Sequence, residues 1–127
     1  MLLEEYAGDE VHGPFLRAPG GGIEFGETAS EAVRREWREE LDAVVTDAVP
    51  LRTSENIFDA HGTRGHEIVH TFRVEAPAFS LPVGARLAVR DSVTTVAWYP
   101  VSTLENAGLP VYPPGIVDLV SGVDGAD

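Results

Sequence analysis

The chain has 127 residues, 43% of them apolar, no cysteine, and a formal charge of −12, with arginine as its only basic residue besides histidine. That length supports one self-sufficient domain, expected to span residues 1–127. The composition argues against a disulfide framework or thiolate zinc site. It also argues against a membrane span, since no run approaches the ~18 apolar residues required, and against a nucleic-acid partner, whose backbone an acidic surface repels.

The first six residues carry Glu4 and Glu5 and no basic region, which is not the pattern of a secretion signal; the expected compartment is the cytoplasm. Leu2 to Tyr6 reads as the end of a strand, and Gly8 to Gly13 as a polar turn. Phe15 to Ala18 is a short extended piece, stopped by Pro19-Gly20-Gly21-Gly22. A helix is expected over Ala29 to Leu41, with Thr28 and Glu31 spaced as a capping box and Glu31/Arg35 and Arg35/Glu39 as supporting pairs. Val44 to Leu51, Ile68 to Val74 and Val93 to Tyr99 are β-branched and read as strands. Pro77 to Arg90 reads as a loop with some extended structure, and Leu109 to Pro114 as a proline-rich extended segment. A short helix from about Gly115 to Val120 and a frayed tail from Ser121 to Asp127 close the chain.

On a helical wheel Ala29, Val33, Trp37 and Leu41 form one stripe that should face the core. Glu36 and Glu40 fall on the flank of that stripe, beside Ala29 and Ala32, with Glu39 next to them; Arg34, Arg38 and Glu31 take the outer face. Close, partly desolvated carboxylates repel, and one takes up a proton unless a cation separates them. A hard divalent cation with oxygen ligands removes that conflict. The alternative is an ordinary ion-paired helix surface.

The stretch from Gly20 to Ala43 resembles the Nudix box: a glycine, five residues, Glu, seven residues, Arg-Glu, a bulky apolar residue, any residue, Glu-Glu, any residue, Gly and an apolar residue. Gly21, Glu27, Arg35, Glu36, Trp37, Glu39 and Glu40 match in register. Asp42 stands where the family has glycine, at a helix end where a left-handed backbone is expected, and Ala43 is a small residue at the bulky final position. The resemblance implies an α/β/α sandwich with a mixed sheet. It implies that Glu36, Glu39 and Glu40, with the Gly21 carbonyl, bind Mg²⁺ or Mn²⁺ and carry catalysis, while Glu27 and Arg35 brace loop against helix. It further implies a hydrolase cleaving the pyrophosphate link of a small-molecule nucleoside diphosphate derivative by water attack. Candidates are a MutT-like nucleotide pyrophosphatase or an ADP-ribose or nucleotide-sugar pyrophosphatase; the alternative is an inactive nucleotide-binding sensor of the same fold.

The likeness extends through Ser54 to Phe58, Gly65 to Val69 and Trp98 to Leu104. It departs at the start, where Nudix domains have a longer strand before the equivalent of Leu2 to Glu5. An incomplete sheet with an open edge, or a homodimer covering that edge, is the resulting expectation.

His66-Glu67-Ile68-Val69-His70 spells the HExxH pattern of zinc peptidases, which requires a helix. Val69, Thr71 and Val74 argue for a strand instead, on which residues four apart lie roughly 13 Å from each other. Glu67 is a candidate for facing the metal site and Arg17 for contacting a phosphate. Phe58, Phe72, Tyr99 and Tyr112 are candidates for stacking on a base, Trp37 for core packing, and Glu105 for an extra acid.

Overall fold

The computed structural model describes residues 1–106 and 108–125. In chain order these form β1 (Leu2–Tyr6), β2 (Phe15–Arg17), α1 (Ala29–Leu41), β3 (Asp47–Ala60), β4 (Thr63–Glu75), β5 (Leu87–Ala88), β6 (Thr95–Trp98), α2 (Val101–Leu104), β7 (Val111–Tyr112) and α3 (Ile116–Gly125). Five strands make a sheet in the order β5-β6-β1-β2-β7, parallel only between β2 and β7, and β3 and β4 make a separate hairpin. The expected mixed-sheet sandwich is observed. No helix among the described residues is long and apolar enough to cross a membrane.

Strand geometry explains the layering. Successive side chains point to opposite faces, so the adjacent Leu2 and Leu3 enter different cores. Leu2 packs with Leu41, Ala43, Val89 and Val96, against which Trp37 also rests. Leu3 packs with Leu16 and Leu104, with Val111 and Val117 against them. One face of the sheet therefore carries α1, and the other carries the C-terminal helices.

β1 is flanked on both sides, by β6 from Leu2↔Trp98 onward and by β2 through Glu4↔Arg17. The Tyr99 amide extends this pairing to the Met1 carbonyl at 2.8 Å. The sheet ends at β5 and β7. The expected open edge at β1 is thus corrected, and with it goes the argument for a dimer across that edge.

α1 occupies the expected residues, and its capping box is formed: Thr28 Oγ1 accepts from the Glu31 amide and Glu31 Oε1 from the Thr28 amide. Glu31 is held there, while Arg35 turns to other partners described below. Asp42 takes the left-handed conformation (φ 53°, ψ 37°) at the position the family gives to glycine, and Ala43 behind it is buried. Arg34 departs from its expected outer position and donates to the Val45 carbonyl at 2.9 Å.

The hairpin is much longer than its apolar segments suggested. His61 and Gly62 form its two-residue turn, both at positive φ (52° and 77°), as a type I′ turn demands. His66 and His70 lie on β4, so the zinc-peptidase geometry is absent; His66 meets Glu55 at 3.0 Å and His70 meets Thr53 at 3.2 Å. Within the expected loop from Pro77 to Arg90, Leu87–Ala88 pairs with β6. The expected frayed tail is helical from Ser121 to Gly125, and its last two residues lie outside the described ones.

Candidate active site

A cleft of about 1740 Å³ is bordered by the hairpin, the glycine loop, α1 and the C-terminal segment from Gly108 to Val120. Ala29, Ala32 and Val33 of α1 line it, together with Gly21 and Glu36 from the box. The apolar stripe of α1 is therefore shared: its later part packs on the sheet, and its earlier part borders the cleft with small side chains.

Glu36 lies so close to Gly21 that any side chain there would displace its carboxylate. A Cβ there would fall 2.5 Å from Glu36 Cδ and 2.6 and 2.7 Å from its two oxygens. The loop backbone is thus pressed against a carboxylate. Arg35 fixes this contact from the side. Its Nε and Nη2 grip Glu27 at 2.8 and 3.0 Å, and its Nη2 also donates to the Gly22 carbonyl at 2.8 Å. Its Nη1 reaches Glu36 at 2.9 Å and Glu39 at 3.2 Å. A guanidinium's planar fork suits this bracing task. Glu27, which also accepts from the Glu24 amide at 3.0 Å, is held below its ordinary value chiefly by Arg35.

Glu36 and Glu40 stand side by side one helical turn apart. Burial and the neighbouring Glu36 push the Glu40 carboxyl up to about 7. Glu39 is turned outward, its side chain 61% exposed. The three acids thus share one helix flank without converging on a point: Arg35 links Glu36 to Glu39, and Glu40 presses on Glu36 from the other side. The donors along this flank are all hard carboxylate oxygens, the type that suits magnesium or manganese. The crowding at Glu40 is the electrostatic conflict that a cation would relieve.

The sign of the Glu40 shift gives a measurable result. Between its ordinary 4.5 and about 7, the folded protein holds a proton that the unfolded chain has released. Stability must then fall as pH rises across that window. Thermal melts in chelator should show this decline, and Glu40→Gln should flatten it; an unchanged slope in the variant would contradict the geometry.

Glu4 was not anticipated from the sequence. It is 5% exposed, accepts from Thr94 Oγ1 at 3.0 Å, and lies on the α1 face close enough to Glu40 to raise it further. Its cross-strand partner is Arg17, which is exposed, lines the cleft and draws Glu40 the other way. The only prior signal was strand alternation, which puts Leu2, Glu4 and Tyr6 on one face.

Glu67 also lines the cleft, on the hairpin side, where Asn56 Nδ2 donates to it at 3.0 Å. Tyr112 meets Phe15 edge to face at 5.6 Å, and Phe15 stacks on Tyr6 at 4.6 Å, giving the cleft an aromatic wall. Phe58 and Phe72 border it as well. Tyr99 does not; its hydroxyl donates to Glu5 at 2.6 Å. Glu105 lines a separate shallow depression with Asp118. Trp37 packs edge to face on Phe79 at 5.8 Å, as core packing required.

The arrangement is a glycine loop pressed against an acidic helix, with an arginine on a strand that lines the same cleft. The NUDIX domain family model matches residues 2–118. The chain therefore belongs to the Nudix family, whose general chemistry is hydrolysis of pyrophosphate bonds and whose enzymes generally use divalent metals. No curated protein matches the chain.

Proposed function

We propose that the chain is a Mg²⁺- or Mn²⁺-dependent pyrophosphohydrolase acting on a nucleoside diphosphate derivative. A nucleotide pyrophosphatase of the MutT-like kind is the first choice, ahead of one acting on ADP-ribose or nucleotide sugars. The observation that carries this reading is the packing of the Gly21 backbone on Glu36, with Glu40 crowded beside it. Glu36, Glu39 and Glu40, with the Gly21 carbonyl, would hold the ion. Bound there, it would supply charge neutralisation at the phosphates and lower the pKa of a water.

The remaining roles fall to side chains. Arg17 offers its exposed guanidinium to a phosphate oxygen from the cleft wall. Tyr112, 40% exposed, offers a ring face to the base. Water attacks phosphorus, the bridging P–O bond breaks, and the proton passes to a carboxylate of the cleft, Glu36 or Glu67. No covalent enzyme intermediate is needed. The cytoplasm, where such nucleotides are abundant, is the compartment we assign.

The sensor reading would have the same fold bind without turnover. The intact glutamates of α1 weigh against it. Incubation with a panel of nucleoside diphosphate derivatives and Mg²⁺ separates the two. Metal-dependent release of a phosphorylated product, lost in Glu39→Gln, is the expected result. Tight binding with no product from any panel member would overturn the enzyme reading.

A further inference from the structure

A second cluster of ligating side chains lies at the mouth of the cleft, away from the box. Asp9 and His12 sit in the loop between β1 and β2, and His61 sits in the turn of the long hairpin. Among the described residues, this is the only trio of His, Cys, Asp or Glu whose ligand atoms all lie within 4.8 Å of one another. His12 Nδ1 is 3.3 Å from Asp9 Oδ1, and His61 Nε2 is 3.8 Å from Asp9 Oδ2. Ligand atoms around a tetrahedral zinc are roughly 3.4 Å apart, so small rotations of exposed side chains would complete the set. The two imidazoles already meet edge to face at 5.1 Å.

We propose that Asp9, His12 and His61 form a second metal site, which takes a transition-metal dication of the zinc or cobalt type and clasps the hairpin tip to the β1–β2 loop. The ligand chemistry separates it from the box. Imidazole selects borderline metals, whereas magnesium prefers all-oxygen sites. Asp9 is prepared for the role. Its Oδ1 accepts from the Val11 and His12 amides at 2.8 and 2.6 Å, which fixes the carboxylate and keeps it ionised below its ordinary value. Oδ2, the oxygen nearer His61, points toward the second imidazole. All three residues are exposed, so the ion's remaining positions would stay open to water.

The clasp would join the hairpin tip to the β1–β2 loop. Near its base the hairpin is tied to the C-terminal region by Arg52, which donates to the Pro114 carbonyl at 2.9 Å. At the tip, metal would bridge the Asp9, His12 and His61 side chains. The hairpin forms one wall of the cleft, so fixing its tip would set the width of the mouth.

The test uses the full chain, stripped with chelator and titrated with Zn²⁺ by calorimetry and with Co²⁺ by visible absorption. A single micromolar equivalent is expected in a millimolar excess of Mg²⁺. Either His12→Ala or His61→Asn, the latter chosen because asparagine tolerates the left-handed turn, should weaken binding by about tenfold or more. His66→Ala with His70→Ala should leave it unchanged, as should Glu36→Gln. Zinc should also slow hydrogen exchange at residues 59–63. Equal zinc affinity in wild type and both variants, or no uptake by the wild type, would overturn the proposal.

Discussion

Glu36→Gln is expected to lower Mg²⁺-dependent turnover by about 10³-fold while leaving the fold intact. A divalent ion supplies several kcal/mol of transition-state stabilisation, and each 1.36 kcal/mol is tenfold in rate, so loss of a central ligand costs on the order of three decades. The fold should survive, because glutamine retains the oxygen that Arg35 holds at 2.9 Å and removes the charge that crowds Glu40. In chelator the variant should melt no lower than wild type. Calorimetric titration with Mn²⁺ alongside steady-state kinetics checks both halves. Turnover within about threefold of wild type, less than one kcal/mol of barrier, would remove Glu36 from the proposed machinery.

Gly21→Ala should separate function from stability even more sharply. The three heavy atoms nearest the new methyl all belong to the end of the Glu36 side chain, at 2.5 to 2.7 Å, and that end can swing away. Folding therefore loses little. The displaced carboxylate, however, leaves both the loop and Arg35 Nη1. Disturbing the support of a metal ligand commonly costs about 10- to 100-fold in affinity or activity, and a loss in that range is expected in kcat/KM and in Mn²⁺ affinity. Glu36→Asp in the Gly21→Ala background should recover part of it, since the shorter acid withdraws from the methyl. Wild-type activity in Gly21→Ala would show that the loop does not position Glu36.

Much of the box was legible because its geometry is local. The capping box at Thr28 and Glu31 follows from short spacing along one helix, while the grip of Arg35 on Glu27 and the left-handed Asp42 were implied by the resemblance of the stretch to the Nudix box. Features assembled by the sheet were less visible. Glu4 looks like a surface residue in Leu-Leu-Glu-Glu, and only the placement of β1 between β2 and β6 buries it. The far end of the hairpin carries little apolar alternation, because both of its faces meet solvent or cleft, so β3 and β4 read as shorter than they are. Arg34 was assigned outward by the wheel, yet a long side chain on the flank can fold back to a carbonyl such as that of Val45. The Asp9, His12 and His61 group comes together only when the hairpin folds over the first loop.

Leu2 and Leu3 are consecutive residues that serve opposite layers of the molecule. The two hydrophobic interiors consequently meet across one peptide unit of β1. Glu4, the next residue along, returns to the first of these layers, so the same short stretch of backbone that seats Leu3 beneath the C-terminal helices also sets a buried carboxylate beside the acidic flank.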